Sequence, residues 1–242
     1  MLHNVSELYG HKLAGSDGDI GQVKDFYFDD QSWAVRYVVA ETGTWLSGRQ
    51  VLLSPHAFAR LDSDGKALRF NLTRKQIEAS PSIDTHRPVS RQYEEEYYRY
   101  YGWPSYWEGG GMWGAVGYPA VTPPVIPDNH HYHGHNQRDD MHLRSAKSVT
   151  GYQIQASDGE MGSVSGFMLD DKSWVIHDLA VEAGPWYSGK EVFISPDRIE
   201  RISYEESKVF VNLAQADIQK TGDHGVVNAT ADDRRETFVR TE

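Results

Sequence analysis

Cysteine is absent from the 242 residues. No disulfide can brace a small domain here, and no thiolate can serve as nucleophile or metal ligand. The absence fits a reducing cytoplasm, which is the expected compartment. Long apolar runs are missing as well: nothing approaches the roughly 18 consecutive apolar residues of a membrane-spanning helix. The opening Met1-Leu2-His3-Asn4-Val5 does not place a basic region before an apolar run, so no signal peptide is expected. Basic charge is scarce: 24 Lys and Arg stand against 35 Asp and Glu, a net charge of −11. The deficit is uneven, −1 for residues 1–80 (9 minus 10) and −6 for residues 151–221 (6 minus 12). Neither stretch offers the basic face that phosphate backbones require, which argues against direct nucleic-acid binding.

What the chain does have is a repeat of itself. Asp17-Gly18-Asp19-Ile20-Gly21, Phe26, Asp29-Asp30, Trp33, Gly43 to Gly48, Val51 and Ser54-Pro55 recur 141 residues later. The second occurrence reads Asp158-Gly159-Glu160-Met161-Gly162, Phe167, Asp170-Asp171, Trp174, Gly184 to Gly189, Val192 and Ser195-Pro196. Aligned without a gap from Gly10 to Ile77, the copies share 23 of 68 residues. An internal duplication of this kind decides for two domains.

Each copy reads as about six short strands with a turn signal every eight to twelve residues, the pattern of a small antiparallel barrel. Residues 11–15 form a first strand. Val23, Phe26 and Phe28, like Val164, Phe167 and Leu169, break strict alternation at the same place, which predicts a bulge in both copies. The fold class is therefore mainly β: two small antiparallel β-barrels joined by a long aromatic-rich linker containing a short helix. The domains are residues 1–80, a linker at 81–141, residues 142–221, and a polar tail at 222–242. Within the linker, 91–101 is helical, with Tyr93, Tyr97, Tyr100 and Tyr101 on one face. Trp103 follows, and then a Pro- and His-rich tract to His135.

The Asp-Gly-x-x-Gly turn, the Asp-Asp-x-Ser-Trp turn, the Gly-x-Trp-x-Ser-Gly loop and the closing Ser-Pro together resemble the PRC-barrel family. That family is named for the cytoplasmic domain of the photosynthetic reaction-centre H subunit. The run from Pro88 through Trp103-Pro104 is similar to that of bacterial tandem PRC-barrel proteins. The resemblance implies a small β-barrel in each copy. It also implies docking onto other macromolecules: the family includes the H subunit and a 16S rRNA processing factor that helps bind a ribosomal protein. The chain shows neither the H subunit's transmembrane helix nor the processing factor's other domain, so neither specific role is carried over.

Four candidate sites follow. The paired acids Asp29-Asp30 and Asp170-Asp171 suit a hard cation such as calcium, or a hairpin turn in which Asp accepts local backbone hydrogen bonds. His130, His131, His133 and His135 have the density to bind zinc, nickel or copper, or form a polar tract with no such role. Trp45 and Trp186 are either interface anchors or plugs folded back on the barrel end. Tyr97, Tyr101 and Trp103 are either a partner-binding stripe or a clamp holding the two barrels in a pseudo-twofold pair. No catalytic constellation is present: His56 becomes Asp197 in the second copy, and Arg36 becomes His177. The expectation is a non-catalytic interaction module with a protein partner and no cofactor. Metal or small-ligand binding through the His130–His135 tract is the alternative, and homo-oligomerisation stays open.

Overall fold

The computed structural model describes residues 1–61, 67–80, 91–103, 142–184, 190–216 and 226–227. The chain divides into two compact units, Met1–Ser148 with Leu169–Val175, and Val149–Met168 with Ile176–Glu242. These boundaries differ from those of the repeats. Residues 142–148 and 169–175, which belong to the second repeat by sequence, lie in the first unit.

The first unit opens with β1 (Leu2–Asn4) and a four-residue helix, α1 (Val5–Leu8). The Asn4 side chain caps α1 by accepting from the Ser6 amide at 2.9 Å. Then come β2 (Lys12–Ala14), β3 (Asp19–Asp29), β4 (Val35–Glu41), β5 (Gln50–Leu53), β6 (Phe58–Leu61), β7 (Ala67–Phe70) and α2 (Arg74–Glu78). The sheet runs β5-β4-β3-β2-β7-β6. Helix α3 (Arg91–Tyr101) lies where the sequence predicted it. Two pieces lay outside the sequence reading: β1 with α1, and β8 (Leu143–Ser145), which adds to the end of β3 opposite Tyr27–Asp29. Short α4 (Ala146–Val149) follows β8.

The second unit carries β9 (Gln153–Ala156), the body of β10 (Gly159–Asp170), β11 (Ile176–Ala183), β12 (Glu191–Ile194), β13 (Ile199–Ser203), β14 (Lys208–Val211) and a two-residue β15 (Val226–Val227). Its order, β13-β14-β9-β10-β11-β12-β15, repeats the first sheet element for element up to β12 and then adds β15. The molecule is mainly β.

The long strand of each repeat buries its apolar residues with the same broken phase. Ile20, Val23, Phe26 and Phe28 are buried in β3, and Met161, Val164, Phe167 and Leu169 in β10. In β3 the register against β4 shifts between Val23 and Asp25, and again between Tyr27 and Phe28. An inserted residue re-aims the side chains that follow, so Phe26 and Phe28 turn inward despite the three-residue step from Val23. The second glycine of each Asp-Gly-x-x-Gly turn has a different job. A Cβ on Gly21 would stand 1.9 Å from the Glu41 carbonyl oxygen, and one on Gly162 would stand 2.1 Å from that of Glu182. Only glycine lets the two backbones approach this closely.

Candidate functional site

The duplicated Asp-Asp turns are the first cluster. In β3 the Asp29 carboxylate accepts from the amides of Gln31 and Ser32 at 3.0 and 2.9 Å, and from Ser32 Oγ at 3.0 Å. Asp170 likewise accepts from Lys172 N at 3.3 Å and Ser173 Oγ at 2.9 Å. Each turn ends on a tryptophan in the left-handed region, Trp33 at φ 59° and Trp174 at φ 57°. A bulky residue is rare there. It is held by its backbone N–H, which donates to Asp29 O or Asp170 O at 2.8 and 2.9 Å. Both rings are buried.

Within the first unit, each Asp-Asp turn is gripped by the opening strand of the other repeat. Asp30 receives Arg144 Nε at 2.5 Å and pairs with His142 Nδ1 at 2.9 Å, and the Asp30 amide donates to His142 O at 2.9 Å. Asp171 takes the Met1 amino group at 2.7 Å and pairs with His3 Nε2 at 3.2 Å, and its amide donates to Met1 O at 3.1 Å. Burial works against charge on Asp170. The Met1 ammonium and the Ser173 hydroxyl outweigh it and hold that carboxyl down to about 2. Positions 1 and 142, 3 and 144, and 30 and 171 are each 141 apart, so the contacts are reciprocal. Ala34 and Val175, also 141 apart, form an antiparallel bridge with each other.

Asp25 is a further acid in this region, and sequence reasoning passed over it. Its carboxylate accepts from Ser145 Oγ at 2.5 Å, Phe26 N at 2.7 Å and Lys147 N at 3.0 Å. Burial raises its pKa against the pull of those three bonds. The second repeat has Gly166 at the equivalent position, so nothing in the duplication marked it.

Helix α3 makes the second cluster. Among its described side chains, Glu94, Tyr97, Tyr98 and Tyr101 are buried. Helical periodicity places Tyr100 on the same face, but Tyr100 is 41% exposed. The helix rotates to bring in a carboxylate. Arg36 of β4 is fully buried and donates to Glu94, also fully buried, and to Asp29 Oδ2 at 3.2 Å. Tyr37 OH donates to Glu94 Oε1 at 2.9 Å. Burial, and then the Glu94 charge, push the Tyr37 pKa well up. A buried cation without a counter-charge is costly, and the linker supplies that counter-charge. Tyr97 OH donates to Leu52 O of β5 at 2.7 Å. Its ring meets Tyr37 edge-on at 5.6 Å. Trp103 stacks on Tyr101 at 4.4 Å and on His56 at 5.8 Å.

The model of the PRC-barrel domain matches residues 2–77. These residues are a PRC-barrel domain. No curated protein matches the chain. Helix α3 therefore lies beyond the matched domain and closes over one face of it. Two other motif residues act inside the domain. Asp17 Oδ1 accepts from the Arg74 amide at 2.8 Å, tying the Asp-Gly turn to the start of α2, as Asp158 ties to Gln215 at 3.0 Å in the second repeat. Trp45 is folded back: its indole N–H donates to Ile20 O at 2.5 Å, and the Arg74 guanidinium sits 5.2 Å over the ring.

Of the candidates named from sequence, Tyr97 and Tyr101 are buried against the PRC-barrel domain, and Trp103 and Trp45 are half-buried on it. Trp186 and the histidines His130, His131, His133 and His135 lie outside the described residues. Among the described residues, no group of three or more His, Cys, Asp or Glu is placed to hold a metal ion, and no helix is long and apolar enough to cross a membrane. The buried Arg36–Glu94 pair is what sequence reasoning missed. The available signal was a Glu at helical spacing from Tyr97, Tyr98 and Tyr101, together with an Arg inside an otherwise apolar strand.

Proposed function

We propose that this chain is a non-catalytic docking module. The PRC-barrel domain at residues 2–77 is joined through an aromatic linker to a second PRC barrel at 142–221, and the pair serves in the cytoplasm as an assembly platform for a protein partner. One observation carries the reading: the aspartates that the duplication repeats are spent on holding the chain together. Asp17 and Asp158 tie turns to the helical turns that follow, Asp29 and Asp170 close hairpins, and Asp30 and Asp171 grip opening strands. Arg36 and Glu94 satisfy each other inside. Carboxylates saturated by local donors are poor general bases and poor cation ligands. The working surface in this reading is the exterior, where the second repeat is strongly acidic.

The test is affinity capture from the native source on immobilised full-length chain, repeated with Glu200, Glu205 and Glu206 changed to Lys. A protein retained by the parent and lost by the acidic-face variant supports docking. Equilibrium dialysis against zinc, nickel and copper decides the competing outcome. Stoichiometric binding at micromolar metal, abolished by His→Ala at 130, 131, 133 and 135, would move the function to the histidine tract.

A further inference from the structure

The equivalent edge strands β5 and β12 have different neighbours. In the PRC-barrel domain the outward carbonyl of Leu52 in β5 is capped by the Tyr97 hydroxyl at 2.7 Å. The run from Val51 to Ala57 is buried throughout. The counterpart of Leu52 is Phe193. It is only half-buried, and Ser195, Pro196 and Arg198 are half-buried while Asp197 is exposed. The main chain there is paired instead with a strand from the chain's own C-terminal region. Phe193 stands opposite Val226 and Ile194 opposite Val227, running parallel.

From this we infer that the β12 edge is a strand-accepting site, occupied in the resting chain by Val226–Val227 and taken in the working complex by an extended segment of a partner. The inference deepens the docking function proposed above and rests on it. A sheet edge offers a row of main-chain donors and acceptors that an added strand completes, with alternate side chains providing selectivity. The resident strand is two residues long, so its hold is slight, and it is flanked by Gly225 and Asn228. Nor does it suit the local charge. Glu191, Asp197 and Glu200 are exposed around this edge, while residues 221–231 carry one acid, Asp223, and no lysine or arginine. A partner segment with two or three β-branched residues and lysine or arginine on either side gains an attraction that the resident strand lacks. In the PRC-barrel domain the equivalent edge differs, because the Tyr97 hydroxyl of α3 already occupies the Leu52 carbonyl.

The experiment uses the full chain and its latch-broken form, Val226→Pro/Val227→Pro, in which the resident strand has no N–H to donate. The probes are a fluorescein-labelled peptide of residues 221–231 and the same peptide with Asp223 and Thr230 replaced by Lys, read by fluorescence anisotropy. The latch-broken chain should bind the first peptide saturably, at least tenfold more tightly than the parent does. The lysine peptide should bind more tightly still, with the advantage shrinking as salt is raised. A peptide with both valines replaced by proline should not bind. Absence of any anisotropy change, equal binding by parent and latch-broken chain, or undiminished binding of the proline peptide would each overturn the inference. A lysine peptide no tighter than the first would overturn its choice of a basic partner. Should the peptides fail while affinity capture still retains a partner, the edge-strand site falls and the docking function stands.

Discussion

Arg36, Tyr37 and His56 occupy the places in the first repeat that His177, Asp178 and Asp197 occupy in the second. Arg36, Tyr37 and His56 are buried under α3, whereas His177 and Asp197 face solvent. The turns that build the sheet are shared between the copies, while the faces beside the edge strands have parted. The first copy's face is an interior, closed by a helix that brings a counter-charge and an aromatic cover. Among the described residues, the corresponding face of the second copy exposes His177 and Asp197, while Asp178 is buried.

Stripping the cover from the first face has the largest expected effect. Changing Tyr97, Tyr101 and Trp103 together to Ala should destabilise the protein by several kcal/mol, on the scale of about 3–5 kcal/mol for each fully buried aromatic. Trp103, half-buried, contributes the least. Denaturant unfolding measures this. A variant that unfolds like the parent would mean that α3 is not part of the first unit's core.

Next in size is the charge beneath the cover. Glu94→Ala leaves Arg36 buried without its main partner and should cost about 3–5 kcal/mol. Removing both charges, as Arg36→Met with Glu94→Leu, should recover most of that loss, because an apolar pair of similar volume needs no desolvation of ions. If the double variant is no better than the single one, the pair is not the cause of the loss.

Much of this architecture was legible in the sequence because it rests on local chemistry. The turn glycines, the Asp-Asp hairpins, the phase break at Val23 and Val164 and the helix at 91–101 each follow from a few adjacent residues. What escaped depends on distant partners. Nothing near Leu143–Ser145 says that this segment will lie along β3, and its partner Asp25 is absent from the second copy. The helix face was misjudged for a related reason. Helical periodicity ranks Tyr100 above Glu94 for burial, and only the arginine 58 positions away reverses that order.

Repeats that share a close backbone approach should share its sensitivity. Gly21→Ala and Gly162→Ala each drive a methyl group into a carbonyl oxygen of the neighbouring strand. Each should cost about 1–3 kcal/mol as overpacking, and the two costs should be alike. Gly43→Ala meets nothing within 4 Å and bears only the strain of φ 63°, so thermal melting should rank it milder than either. A Gly162→Ala variant as stable as the parent would show that the second copy has relaxed a constraint the first retains.

The smallest effect separates the copies by pH. Asp25 belongs to the first unit alone, and burial lifts its pKa above the value of an unfolded chain, which is about 3.9. The sign follows from proton binding: the folded chain holds this proton to higher pH than the unfolded chain does, so ionisation of Asp25 works against folding. Its favourable contribution is complete below about pH 3.9 and is lost as the pH rises through the raised pKa. Asp25→Asn keeps an oxygen to accept from the Phe26 and Lys147 amides but removes the titration. Unfolding free energies for parent and variant, measured side by side from pH 4 to pH 8, should therefore diverge. The variant should gain on the parent as the pH rises out of the acid range, then hold a constant offset once Asp25 is fully ionised. The same difference taken for a Gly166 variant of the second repeat, where no acid stands, should be flat with pH. A flat difference for Asp25→Asn as well would mean that the three hydrogen bonds to this carboxylate cancel the cost of burying it.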